Sequence, residues 1–222
     1  MSSKPPKVGI QLGKINLNKF SAIALGVPQK NQKAKLPNSP LIKGIEKDFG
    51  VNLAAELMKW PDYIAKSGEI IEIPIATGNK GLIRIYLVGL GESKRDDYRK
   101  AGISIARKVK SSGQQVALAI VDNRIFIENF VTSLILASYI WNQKSPKKDE
   151  KGASEFVFIE NGKEFAKEIN RGVELASGVW SARDLIHTPS NIKNPKWLAD
   201  QAKRLVTGMK NSALSIEIKA GS

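Results

Sequence analysis

The chain has 222 residues, of which 42% are hydrophobic and 25% charged, a composition that suits a globular protein with enough apolar side chains for a core. It has no cysteine, which excludes disulfides, thiolate metal sites and a cysteine nucleophile. No apolar run reaches the ~18 residues of a membrane-spanning helix, and no apolar block follows the first lysines. The sequence therefore predicts a cytoplasmic protein without a membrane contact.

The first half of the chain predicts strands and helices in alternation. Strand character is found at residues 19–27, 69–75 and 82–88, and helical spacing at residues 41–59 and 95–111. Pro28 ends the first strand and opens a polar loop over residues 28–40, and Gly50 divides the first helical stretch in two. Pro74 lacks a backbone donor, so its strand is expected at a sheet edge. The nearly continuous apolar run 82–88 predicts a central strand buried on both faces.

The second half continues the pattern and adds a long helix. Strands are predicted at residues 115–121, 155–159 and 214–218, helices at residues 127–141 and 163–185, and a charged loop at residues 143–152. Asn194 and Pro195 suit the cap and first position of one more helix. The fold class is therefore α/β: a mixed sheet flanked by helices, then a linker helix and an incomplete second α/β domain. We place the domains at residues 1–162 and 163–222.

The net charge of +14 is concentrated at the start of the chain, where no acidic residue precedes Glu46. The lysines ahead of it are Lys4, Lys7, Lys14, Lys19, Lys30, Lys33, Lys35 and Lys43. A basic surface attracts phosphate backbones, so these lysines are candidate nucleic-acid contacts. The alternative, which we favour, is a solvated lysine-rich face balanced by acidic groups elsewhere in the full protein.

A glycine pair follows the central strand, at Gly89-Leu90-Gly91-Glu92. It is a partial dinucleotide motif, because Lys94 occupies the position of the third glycine. A tight strand-to-helix turn that needs glycine explains the pair better than a bound dinucleotide.

Polar residues at the end of the long helix raise two further possibilities. His187 is the only histidine in the chain, and it suits packing or capping at a helix end better than catalysis. Ser190 in Thr188-Pro189-Ser190-Asn191 could be a nucleophile, but no glycine elbow surrounds it and the residue types are those of a turn.

Carboxylates are the remaining candidates for catalytic residues and metal ligands. Those after residue 160 are Glu164, Glu168, Glu174, Asp184, Asp200 and Glu217. A two-metal hydrolase needs several of them to converge on ions ~3.5–4 Å apart, whereas these are scattered along helices. The sequence therefore predicts no catalytic residue and no metal ligand.

Three blocks resemble the leucyl aminopeptidases, also called cytosol aminopeptidases, in the same order. They are IYLVGLGESKRDDYRKAGISIARKVK at 85–110, SLILASYIWNQKSPK at 133–147 and GVELASGVWSARDLIHTPSNIKNPKWLADQAKRL at 172–205. The last block resembles the entry into the family's peptidase domain, and His187 departs from it where the family usually has Asn. The resemblance implies a macro-domain-like first unit, which raises ADP-ribose as a ligand, although the partial glycine motif argues against it.

The resemblance also implies a function for the intact protein. The family removes N-terminal residues, Leu preferred, from peptides with two divalent ions, Mn²⁺ or Zn²⁺, and assembles as homohexamers. Some members bind DNA, which adds to the interest of the early lysines. Nothing in this chain matches the family's metal-site signature NTDAEGR. We therefore expect residues 163–222 to be the linker helix and a truncated start of the peptidase domain, with no ions bound to this chain and no activity of its own.

Overall fold

The computed structural model describes residues 4–11, 16–77, 81–109, 115–120, 124–141, 155–159, 164–208 and 213–219. The main strands are β1 (Lys7–Ile10), β2 (Ala22–Val27), β5 (Ile70–Thr77), β6 (Gly81–Gly89), β7 (Gln115–Ala119) and β8 (Glu155–Phe158), and a short hairpin is formed by β3 (Gln29–Lys30) and β4 (Lys33–Ala34). The helices are α1 (Pro40–Phe49), α2 (Leu53–Met58), α3 (Arg95–Lys108), α4 (Ile127–Ala137), α5 (Ala166–His187) and α6 (Pro195–Gly208).

The six main strands form one mixed sheet in the order β1-β8-β7-β2-β6-β5. All neighbours pair in parallel except β5, which runs antiparallel to β6. Strand β5 is the last in the order, so Pro74 lies at a sheet edge, and the edge prediction is confirmed. The predicted α/β class with a mixed sheet between helices is also confirmed.

Alternate residues of the central strands face two separate cores. Ala22 and Ala24 of β2 point to the core formed with α3, α4 and α5, whereas Ile23 and Leu25 point to the core formed with α1 and α2. All four side chains are buried, because helices cover both faces of the sheet. The burial of residues 85–88 has the same cause, whereas Leu82, near the start of β6, is 47% exposed.

The structure departs from the sequence predictions at several short elements. Strand β1 was not predicted, and the hairpin β3–β4 lies inside the predicted polar loop 28–40. Asn31 and Gln32 both have positive φ, at 50° and 57°, as a two-residue hairpin turn requires. The predicted strand 214–218 is wrong, since residues 213–219 have no strand or helix assignment.

Helix boundaries differ by a few residues from the predictions. Helix α4 ends at Ala137 rather than at residue 141, because the N–H of Ser138 turns back to the carbonyl of Ile135, at 3.0 Å. Gly50 ends α1 in the left-handed conformation, with φ 61°, as predicted. The charged loop 143–152 lies outside the described residues.

Helix α5 joins the first core to the rest of the chain. Its residues Ile169, Ala176 and Trp180 belong to the core on the α3–α4 side of the sheet. The domain boundary between residues 162 and 163 stays a prediction, and α5 packs on the preceding unit from Ile169 as far as Asp184. Among the described helices, none is both long and apolar enough to cross a membrane.

Candidate functional site

The strand-to-helix turn after β6 is filled by the protein's own backbone. The N–H of Leu90 donates to the carbonyl of Val27 at 2.8 Å, and the N–H of Gly91 donates to the carbonyl of Ala65 at 3.0 Å. The carboxylate of Asp97 accepts a hydrogen bond from the N–H of Lys94 at 2.9 Å. This carboxylate lies at the start of α3, which is where a dinucleotide-binding turn would hold a phosphate. These three backbone donors are therefore occupied, which agrees with a structural turn.

The six carboxylates after residue 160 do not converge in the structure. Glu164, Glu174 and Asp200 are exposed, and Glu217 pairs with Lys219 at 3.6 Å. No group of three or more His, Cys, Asp or Glu side chains in the described ranges could hold a metal ion. These residues do not fit a two-metal centre, so we assign them no step of a hydrolytic reaction.

An aromatic cluster instead forms where the C-terminal ends of α4 and α5 meet. The rings of Tyr139 and Trp180 make a T-shaped contact with centroids 4.8 Å apart. The imidazole of His187 lies between two rings, 5.6 Å from Tyr139 and 5.5 Å from Trp141. His187 is thus a packing residue at a helix end, as the sequence predicts.

Hydrogen bonds fix this cluster to both helices. The guanidinium of Arg183 donates to the carbonyl of Leu136 at 2.8 Å and lies 5.5 Å above the ring of Tyr139. The hydroxyl of Tyr139 donates to the carboxylate of Asp184 at 2.8 Å. The Arg183 guanidinium also complements the helix dipole at the last carbonyls of α4. Together these contacts hold the end of α5 against the end of α4.

The pKa of the Tyr139 hydroxyl reports on the contacts of this cluster. Partial burial, followed by the hydrogen bond to Asp184, raises the pKa of Tyr139 from 10.0 to about 12. Its neutral form therefore contributes stability that is complete below pH 10 and is lost as the pH rises through about 12. We expect an absorbance titration, corrected by subtracting that of Tyr139→Phe, to show this midpoint. Asp184→Asn should move the midpoint down, and an unchanged midpoint would contradict the role of Asp184.

The segment after α5 is a turn, as its residue types predict. The hydroxyl of Thr188 donates to the carbonyl of Asp184 at 2.7 Å, and the N–H of Ile192 donates to the carbonyl of Pro189 at 3.0 Å. No hydrogen bond joins Ser190 to His187 in the described part of the chain, so the turn does not assemble a serine nucleophile.

A groove of about 660 Å³ lies beside this cluster and is the candidate functional site. Its aromatic and charged lining is Trp141, Trp180, Trp197, Lys4, Asp184 and Arg204. The volume is in the range of ligand sites, ~300–1,000 Å³. Trp180 is 4% exposed, and its indole Nε1 has no acceptor among the described residues. Sequence reasoning did not identify this groove, although three of the four tryptophans lie in it, which is a signal that could have been used.

The early lysines do not form one patch. Seven of them are exposed, and Lys14 lies outside the described residues. Lys19 precedes β2 and Lys30 follows it, so these two lie at opposite ends of a strand that spans ~20 Å. Lys30 and Lys33 face each other across the β3–β4 hairpin, and Lys4 lines the groove. Nucleic-acid binding by these lysines stays a prediction.

Comparison with known proteins identifies the family. The family model described as "Cytosol aminopeptidase family, N-terminal domain" matches residues 25–147, more than half of the chain. A probable cytosol aminopeptidase of Aquifex aeolicus is 29% identical over 163 residues, which cover 69% of this chain and 32% of that protein. The chloroplastic leucine aminopeptidase A1 of Solanum lycopersicum is 27% identical over 191 residues, which cover 80% of this chain and 32% of that protein.

A solved structure adds the fold. A tomato leucine aminopeptidase mutant matches with a TM-score of 0.65 and 26% identity, over 93% of this chain and 43% of that one. The chain spans about a third of the length of the two curated relatives. The family match, the mixed sheet and the shared fold together establish that the chain belongs to the cytosol aminopeptidase family and carries its N-terminal domain.

Proposed function

We propose that this chain is the N-terminal portion of a two-metal leucyl aminopeptidase, and that the whole protein removes N-terminal residues, Leu preferred, from peptides. The family match over residues 25–147 carries this proposal. Helix α6 supports it. None of its residues is buried, and the apolar side chains of Leu198 and Leu205 are exposed. An apolar helix face in water usually marks a surface that another part of a protein covers.

Within this proposal, the chain positions the peptidase half and does not carry out the reaction. Two divalent ions, Mn²⁺ or Zn²⁺, would supply an activated water and a polarised peptide carbonyl to the whole enzyme. The chain's own part is to hold α5 at a fixed angle through Arg183, Asp184 and Tyr139. We further propose that the whole protein is cytoplasmic and assembles as a homohexamer.

An activity assay tests the proposal. We expect the 222-residue chain to leave leucine p-nitroanilide intact in the presence of Mn²⁺ or Zn²⁺, because its described carboxylates do not converge. A protein that joins this chain to a peptidase half of the same family should hydrolyse the substrate and lose activity to a chelator. Turnover by the chain alone, or its tight uptake of two zinc equivalents, would contradict the division of roles.

A further inference from the structure

Helix α6 is amphipathic, yet it buries none of its residues. Leu198, Ala202 and Leu205 recur at spacings of four and three residues, the pattern of a helix that packs on a core. In the structure α6 has no buried residue, and Leu198 and Leu205 are 57% and 49% exposed. Because a helix in a protein owes most of its stability to the packing of its apolar face, we expect a partner to cover α6.

The groove described above separates α6 from α5. Trp180 and Asp184 line it from α5, and Trp197, Gln201 and Arg204 line it from α6. Helices that pack directly on each other interdigitate and leave few spaces larger than a water molecule. A space of about 660 Å³ shows that α5 and α6 do not interdigitate here. The groove can therefore take in side chains from a partner.

The charges of the groove favour an occupant that carries a carboxylate. Lys4 and Arg204 line the groove, and no salt bridge joins either of them to an acidic residue in the described ranges. Asp184, the acidic residue of the lining, already accepts the hydroxyl of Tyr139 at 2.8 Å. A carboxylate brought into the groove would therefore gain two cationic partners.

The exposed leucines of α6 decide between the possible occupants. Leu198 and Leu205 do not line the groove, so a small ligand bound there would leave them in water. A second copy of the chain would bring its own net charge of +14 toward Lys4 and Arg204. Neither occupant suits both the leucines and the charges, so the partner is a different protein surface.

The two curated relatives indicate where such a surface comes from. The regions that they share with this chain make up 32% of each, and the matching family model is described as an N-terminal domain. Their remaining length therefore includes a part that follows this domain. A part that continues from the same chain after α6 is held beside α6 at a high effective concentration.

We propose that the peptidase half of the whole protein packs on α6 and fills the groove with a segment that carries apolar side chains and a carboxylate paired with Arg204. This inference rests on the proposed function, because the proposed function supplies the partner. The same partner surface covers Leu198 and Leu205. Its packing fixes α6 against α5, which the chain alone leaves apart.

Thiol labelling tests the cover on α6. The chain has no cysteine, so introduced thiols can be placed freely and followed by mass spectrometry of their peptides. We expect Leu198→Cys to react at least about tenfold more slowly in a protein that joins this chain to a peptidase half of the family than in the chain alone, since labelling then requires local opening.

Met58→Cys is the matched control for this labelling. Met58 is 82% exposed and lies in α2, which covers the opposite face of the sheet from α5. Its labelling rate should differ by less than about twofold between the two proteins. Equal rates for Leu198→Cys in the two proteins would overturn the proposal. Labelling of Leu198→Cys that slows in the chain alone as its concentration rises would assign the surface to a second copy and also overturn it.

Two charge reversals on α6 test the occupant of the groove. Arg204→Glu changes the groove lining, whereas Lys203→Glu changes an exposed residue outside it. In the joined protein with Leu198→Cys as the reporter, Arg204→Glu should speed labelling about tenfold, because it repels the carboxylate, and Lys203→Glu should change it less than about twofold. Equal effects of the two reversals would overturn the pairing with Arg204.

Peptide hydrolysis separates this inference from the proposed function. A joined protein that protects Leu198→Cys but leaves leucine p-nitroanilide intact would support the docking and contradict the proposed function. A joined protein that cleaves this substrate while Leu198→Cys reacts as fast as in the chain alone would overturn the docking and leave the proposed function standing.

Discussion

Gly89→Ala is expected to destabilise the folded chain by about 3 kcal/mol or more, because the added methyl group would collide with backbone that cannot move away. A Cβ at Gly89 would lie 2.0 Å from the carbonyl oxygen of Lys66 and 2.6 Å from the carbonyl carbon of Ala65. The N–H of Gly68 donates to the carbonyl of Gly89 at 2.9 Å, and the N–H of Gly89 donates to the carbonyl of Glu69 at 2.7 Å. These bonds hold the two segments together, so the collision cannot be relieved locally.

Gly44→Ala is the matched control for this prediction. Gly44 lies inside α1, and a Cβ there meets nothing within 4 Å, so alanine should stabilise the chain by about 0.5–1 kcal/mol. Urea unfolding followed by circular dichroism measures both variants. The close-approach argument would be wrong if Gly89→Ala unfolded at the urea concentration of the unsubstituted chain.

Trp180→Ala is the second change with a large expected effect, a loss of about 3–5 kcal/mol. The indole is 4% exposed, belongs to the core on the α3–α4 side and stacks edge-on against Tyr139. Its removal takes away the largest side chain that joins α5 to the first unit and leaves a cavity next to the groove. Urea unfolding gives the stability, and the near-ultraviolet circular dichroism signal should fall as Tyr139 loses its partner.

Trp197→Ala separates the stability that comes from burial in the core from the stability that comes from the groove. Trp197 lines the same groove but belongs to α6, which has no buried residue. Its loss should change the free energy of unfolding by no more than about 1 kcal/mol. Equal losses for the two tryptophans would show that the groove, and not the core contact of Trp180, provides the stability.

Much of the fold follows from local pattern. Strand β6 was predicted as a central strand because its apolar run needs cover on both faces, and α1–α2 and α3–α5 provide that cover. Pro74 placed β5 at the edge because proline cannot donate to a neighbouring strand. The family resemblance came from motif order, and the family match confirms it.

The features that sequence reasoning missed depend on distant partners. Strand β1 has only four residues and contains Gly9, and it is a strand because β8, far along the chain, pairs with it. Residues 214–218 have strand character, yet local preference without a neighbouring strand does not make a sheet. The Tyr139–Asp184 hydrogen bond spans 45 positions, so no local window shows both partners. The groove was missed for the same reason, because its lining residues come from distant parts of the chain, from Lys4 to Arg204.

Helix α5 is also a long rigid connection that is held at both of its ends. It runs without a break for 22 residues, a length of ~33 Å, from its buried first turns to Thr188. A tilt of about 5° at its base would displace its far end by ~3 Å, given that length. Such a tilt would break the bonds from Arg183 to Leu136 and from Tyr139 to Asp184, so these two contacts fix the place at which the segment after residue 188 leaves the first unit.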